Sequence, residues 1–142
     1  MNDSFKDLVV WQRAVQLGVA VYKLTSTFPP AERFGLTSQL RRASVSIARN
    51  IAEGYGKATR GEYVSFLGHA RGSNGEVQTQ LVFAQALGFG SQESLLEAES
   101  LSNEVGRDAG CDDEQAENPL TASFLFPIPC SLFPDVLAWG PG

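Results

Sequence analysis

Apolar residues recur at spacings of three and four through four stretches of this chain, and the pattern lapses after about residue 107. Such spacing puts side chains on one face of a 3.6-residue helix, so four amphipathic helices are predicted. In the first, over 6–27, Val10, Ala14, Leu17, Val21, Leu24 and Phe28 form one seam, and Leu8, Trp11, Val15, Gly18 and Tyr22 form another beside it. Two readings fit. Either another subunit covers the second seam, with Trp11, Val15 and Tyr22 at the contact, or both seams make one wide core stripe.

Pro29 and Pro30 are expected to stop that helix, because proline disfavours helix at the preceding residue and lacks a donor. The second helix starts near 32 or 34 and carries Leu36, Leu40, Ala43, Ile47 and Ile51 to Glu53. Gly54 and Gly56 are then expected to end it through a left-handed exit. Thr59 followed by Glu62 reads as a capping box, so a third helix runs from Arg60 to about Gly88. Its buried side is traced by Tyr63, Phe66, Ala70, Val77, Leu81, Ala84 and Leu87. Gly68, Gly72 and Gly75 inside it each cost about 1 kcal/mol relative to alanine. They imply either a partner helix packed too close for a Cβ, at least at Gly68 and Gly72, or a weak, kinked helix. Ser91 caps a fourth helix through Leu95, Leu96, Ala98, Leu101 and Val105, expected to fade over 106–110. The fold class is therefore all-α, an antiparallel up-down four-helix bundle over 5–107 with an irregular tail over 108–142.

Charge divides the same way. The 142 residues carry a formal net charge of −5, yet residues 1–107 hold all 11 basic residues against 10 acidic ones. The tail holds the other 6 acidic residues and no basic ones. The acidity of the whole thus belongs to the tail and does not exclude an anionic partner for the body. The tail runs from an acidic stretch into Phe- and Pro-rich text, with Ser123-Phe-Leu-Phe-Pro127 echoed by Ser131-Leu-Phe-Pro134. It reads as disordered or as a non-native extension, a repeat insertion or frameshifted end replacing part of the fourth helix. Leu120 to Trp139 nearly has the length of a membrane span, but its prolines and Asp135 argue against one. No basic stretch leads into an apolar one at the N-terminus, so the expected location is cytoplasmic.

Little in the sequence suggests catalysis. Cys111 and Cys130 lie in the tail, and one histidine cannot complete a zinc site with them. Glu62, His69 and Glu76 are seven apart on one helix, roughly 10 Å at each step and too far for shared ligation. His69 is expected to be a surface or packing residue, no metal or cofactor is expected, and no paired acid and base can be assembled. Gly54-Tyr-Gly56-Lys57 lacks the strand and spacing of a phosphate loop. Lys57 and Arg60 do flank the free amides that begin the third helix, a place that favours anions. Asn50 and Glu53 are expected in a polar network with Thr79 or Gln80 that fixes helix register or a subunit contact.

Four ordered blocks carry a resemblance: Phe5-Lys-Asp-Leu-Val-Val-Trp-Gln12, Tyr22-Lys-Leu-Thr25, Gly35-Leu-Thr-Ser-Gln-Leu-Arg-Arg-Ala43 and Asn50-Ile-Ala-Glu-Gly54. With Gly72, Ser73, Glu76, Thr79 and Gln80 they resemble the bacterial four-helix-bundle family often encoded within intervening sequences of 23S ribosomal RNA genes. The chain departs from the family pattern at Ala48, usually proline, and at Arg49, usually serine. The resemblance implies a cytoplasmic assembly protein without known catalysis, a cyclic homo-oligomer and in the better-known cases a pentamer. Relatives serving diversity-generating retroelements bind nucleic acid and a reverse transcriptase through a basic surface. Carried onto this chain, the RNA- or DNA-binding candidates are Arg41, Arg42, Arg49, Lys57, Arg60 and Arg71. Two alternatives stay open: a structural or protein–protein interaction module without a nucleic-acid role, and a degenerate copy whose fourth helix is frameshifted.

Overall fold

The computed structural model describes residues 4–110. A 3₁₀ turn, Phe5–Asp7, precedes four helices: α1 (Val9–Thr25), α2 (Leu36–Tyr55), α3 (Arg60–Ala86) and α4 (Gln92–Gly110), with a second 3₁₀ turn at Pro30–Glu32. No strand occurs among the described residues. Each helix packs on its neighbours in the order α1, α2, α3, α4 and back to α1, so α2 and α4 stand diagonally opposite. The arrangement is the antiparallel up-down bundle that the periodicity predicts.

The core follows the seams. Leu17, Val21 and Leu24 of α1, Leu40, Ile47 and Ile51 of α2, Val77 of α3 and Val105 of α4 are fully buried. Burying a Leu, Ile or Val side chain is worth about 1.5–3 kcal/mol each, and this shared centre holds the bundle together. One polar pair is embedded in it, and a second lies half-buried at its edge. Asn74 Nδ2 donates to the Ser102 carbonyl at 3.0 Å while Ser102 Oγ donates back to Asn74 Oδ1 at 2.8 Å, tying α3 to α4. Ser46 and Ser73 hydroxyls meet at 3.0 Å between α2 and α3.

Several expectations are corrected. The first helix starts at Val9 because Phe5 folds back against Trp11, ring edge to face at 5.3 Å, and the chain breaks at Leu8. It ends at Thr25, short of the prolines; the Thr25, Ser26 and Thr27 hydroxyls each donate to a carbonyl in the preceding turn. The start of α2 is capped from outside, where Glu32 Oε2 accepts the Leu36 amide at 2.9 Å. Gly54 lies inside α2, and Gly56 has a right-handed φ of −78°, so neither makes a left-handed exit. The left-handed glycines are Gly88 and Gly90, in the turn that brings Phe89 onto Phe28.

The close approach also moves. A Cβ at Gly68, Gly72 or Gly75 would meet nothing within 4 Å, whereas one at Gly54 would lie 2.6 Å from Phe66 Cβ. The tight helix contact is thus α2 on α3 at Gly54. Leu87, expected inside, is exposed, and Leu67 and Asn74 are buried on α3 instead. Nor does α4 fade: it runs to Gly110, held to α1 by Arg13 Nη1 on Asp108 Oδ2 at 2.6 Å, with Glu104 Oε2 3.6 Å from Arg13 Nε. The expectations for the tail beyond Gly110 lie outside the described residues.

Candidate nucleic-acid interface

The outward face of α2 is built by arithmetic. With Leu40, Ala43, Ile47 and Ile51 turned to the core, residues 38, 42, 45 and 49 must point away from it. Arg42, Val45 and Arg49 are accordingly exposed. Arg41 turns instead toward α1, where its Nε donates to Thr25 Oγ1 at 2.9 Å and its guanidinium lies 4.5 Å from the Tyr22 ring centre. Hydrogen bond and aromatic face together hold this cation in place.

A groove of about 460 Å³ follows, lined by Tyr22, Phe34, Val45 and four arginines, Arg33, Arg41, Arg42 and Arg49, with no carboxylate in its wall. Phe34 is 88% exposed, and the Arg33 guanidinium sits 5.4 Å from its ring centre. Arg42 and Arg49 also border a second groove on the α3 side, with Ser46, Ser73 and Glu76. Among the described residues neither arginine makes an ion pair, whereas Arg13 pairs with Asp108 and Glu104. Fixed cations, free cations and exposed aromatic rings in one trough are what phosphates and bases require.

The other candidates fall in two places. Lys57 Nζ lies 5.2 Å from the Phe66 ring centre, and Arg60 opens α3; both extend the basic surface around the end of α2. The Thr59 hydroxyl accepts the Glu62 amide at 3.2 Å, and its own proton reaches Glu62 Oε2 at 2.9 Å. One α3 amide is therefore already satisfied, and Glu62 competes with any anion there. Arg71 is elsewhere. At 100° per residue it lies about 160° around α3 from Ser73, the residue that faces α2.

Of the expected contact residues, Trp11 is half-buried against Phe5, while Val15 and Tyr22 lie on the outer face of α1 with Val19 between them, 38%, 48% and 50% exposed, the Tyr22 ring also meeting the Arg41 guanidinium. Asn50 donates to the Ser46 carbonyl at 2.8 Å and to Ser46 Oγ at 3.0 Å, extending the Ser46–Ser73 link. Thr79 instead donates to the Gly75 carbonyl of its own helix at 2.9 Å, and Glu53 is exposed, so the network joins neither Thr79 nor Gln80. His69 is exposed, its ring edge on Phe66 at 5.8 Å. Among the described residues no His, Cys, Asp and Glu side chains gather as a metal site would need. None of the described helices is long and apolar enough to cross a membrane.

Sequence reading missed Arg33 and Phe34. Both precede α2 and fall outside its periodicity, but a bare Phe beside an Arg before a basic helix was a visible signal. It missed, too, the outward face of α3, where Gly61, Ser65, Gly68, Gly72, Gly75, Thr79 and Phe83 form a stripe without charge.

Comparison with known proteins agrees with this architecture. The sequence model of a family described as 23S rRNA-intervening sequence protein matches residues 6–109. No curated protein matches. A crystal structure of a protein with unknown function from the S23 ribosomal protein family of Bacteroides thetaiotaomicron is similar in fold, with a TM-score of 0.65 at 20% identity. The similarity covers 72% of this chain and 95% of that one.

Proposed function

The chain belongs to the 23S rRNA-intervening sequence protein family, and from that premise we propose that it is a non-catalytic, self-associating bundle that holds RNA or DNA on the basic face of α2. The observation that supports this most is the carboxylate-free groove with Arg33, Arg41, Arg42 and Arg49 in its wall. Had those arginines paired with acidic neighbours, a purely structural module would be favoured; among the described residues Arg42 and Arg49 do not. Arg41, Arg42, Arg49, Lys57 and Arg60 neutralise phosphates, and Tyr22 and Phe34 offer rings for unpaired bases. Single-stranded RNA therefore suits the trough better than a duplex. Copies associate through Val15 and Val19 on α1, and a ring of five would multiply the modest charge of each body. A reverse transcriptase is a partner by family analogy alone.

The test is fluorescence anisotropy with a labelled single-stranded RNA of about 20 nucleotides at low salt. Arg42→Gln with Arg49→Gln should weaken binding by about tenfold or more, since each lost phosphate contact removes counterion release. Lys6→Gln with Arg107→Gln removes the same charge elsewhere and should change affinity far less. Equal losses from both pairs would reduce the site to a diffuse charge effect.

A further inference from the structure

The ridge of α2 that carries Arg42 and Arg49 has a groove on either side, and the two sides differ in chemistry. On the α3 side Ser46 faces Ser73 and Gly54 faces Phe66, which sets the antiparallel register of the two helices. That register puts Gln39 level with Gln80 and Leu36 level with Phe83. Two grooves here, of about 480 and about 630 Å³, share Gln39, Glu76 and Gln80 and so form one trough. Arg42 and Arg49 border it toward one end, Leu36 and Phe83 toward the other. The Phe83 side chain is 58% exposed.

Glu76 sets this trough apart. The groove on the α1 side has no carboxylate in its wall, whereas here Glu76 stands exposed in one wall with Arg42 and Arg49. Among the described residues it pairs with neither. A carboxylate repels phosphate and two arginines repel a cation, so neither a sugar–phosphate backbone nor a basic side chain suits the middle of the trough. A neutral group rich in N–H donors, joined to a phosphate, does suit it. Gln80 stands one turn beyond Glu76 on the same face of α3. It buries Oε1 without a hydrogen-bond partner, which leaves Nε2 as its outward donor. The trough therefore offers the two oxygens of one carboxylate beside one N–H donor. Among the four bases only guanine carries the complement along a single edge, N1–H and N2–H next to the O6 acceptor.

We infer that the α2–α3 trough is a pocket for one unpaired guanine of the bound strand. Glu76 accepts N1–H and N2–H, Gln80 Nε2 donates to O6, and Phe83 offers its ring to the face of the base. Arg42 and Arg49 keep the flanking phosphates on the ridge between the two grooves. The inference rests on the nucleic-acid reading and adds sequence to it. Bases on the α1 side stack on rings without being read, and the base on the α3 side is read by its edge.

The test is fluorescence anisotropy on the full chain at low salt with three labelled single strands of about 20 nucleotides. One is uridine alone, one carries guanosine at every fourth position, and one carries inosine there, which lacks only the N2 amino group. The guanosine strand should bind about fivefold or more tighter than the uridine strand, with inosine between them. Glu76→Gln should bring the ratio of guanosine to uridine affinity down to about one. Glu76 is exposed, and a thermal melt followed by circular dichroism should show the variant folded. Equal affinity for the three strands, or a preference that survives Glu76→Gln, would overturn the pocket and leave the basic face standing. Binding of no strand at all would overturn both. Guanosine monophosphate should displace the guanosine strand only weakly; displacement as effective as by the unlabelled strand would overturn the assignment to a base within a strand.

Discussion

Glycine shows at the single residue how space decides the sign of a substitution. Gly54 is buried, and an added Cβ would stand 2.6 Å from Phe66 Cβ. Gly54→Ala must push α3 away and should destabilise the fold by about 1–3 kcal/mol, the usual cost of overpacking. Gly72→Ala meets open space in a helix interior and should stabilise it by about 0.5–1 kcal/mol. Urea unfolding of the two variants checks both signs. A destabilised Gly72→Ala would mean that something outside this chain occupies the face of α3. Both glycines are plain in the sequence, but only the neighbouring helix tells them apart, and so the close approach was expected at the wrong one.

Element by element, legibility follows periodicity and capping. The stripes of α1 and α2 and the Thr59 cap are local patterns, and the structure keeps them. Helix ends were harder, because Thr25, Ser26 and Thr27 fold their hydroxyls onto the backbone before any proline acts. The length of α4 depended on a contact 95 residues away in sequence, Arg13 with Asp108, which no local rule contains. Those carboxylates also raise the Arg13 pKa, through the hydrogen bond first and the charge of Asp108 second. Asp108→Asn should fray the last turn of α4, seen as faster amide exchange at 107–110 with the core unchanged.

Glu99 on the same helix is different: partial burial raises its pKa above that of a free glutamate. The folded state then holds a proton that the unfolded state gives up, so this group costs stability above its folded pKa, and the cost fades as pH falls through that value. Glu99→Gln should raise the melting temperature at neutral pH. The gain should disappear in acid, where both side chains are neutral.

At the scale of the whole molecule, charge is arranged across the diagonal. Helix α2 carries Arg41, Arg42 and Arg49 against Glu53, and α4 carries Glu93, Glu97, Glu99, Glu104 and Asp108 against Arg107. The basic residues of the site could be named from the sequence, all but Arg33. Their gathering on one face could not, since no local pattern tells Arg42 on the outward face of α2 from Arg71 on α3. Assembly is tested separately: the full chain should scatter light as a multiple of 15.3 kDa, and Val15→Glu with Val19→Glu should return it to one copy.

The most direct test of the basic face is the salt dependence of the full chain's affinity for a single-stranded RNA of about 20 nucleotides. Five phosphates neutralised by Arg41, Arg42, Arg49, Lys57 and Arg60 predict a slope of log K against log salt of about −3.5, since each contributes about −0.7 on a single strand. Arg42→Gln with Arg49→Gln should flatten it by about 1.4. A slope near zero, or one that the two substitutions leave unchanged, would contradict the claim that α2 holds the phosphates.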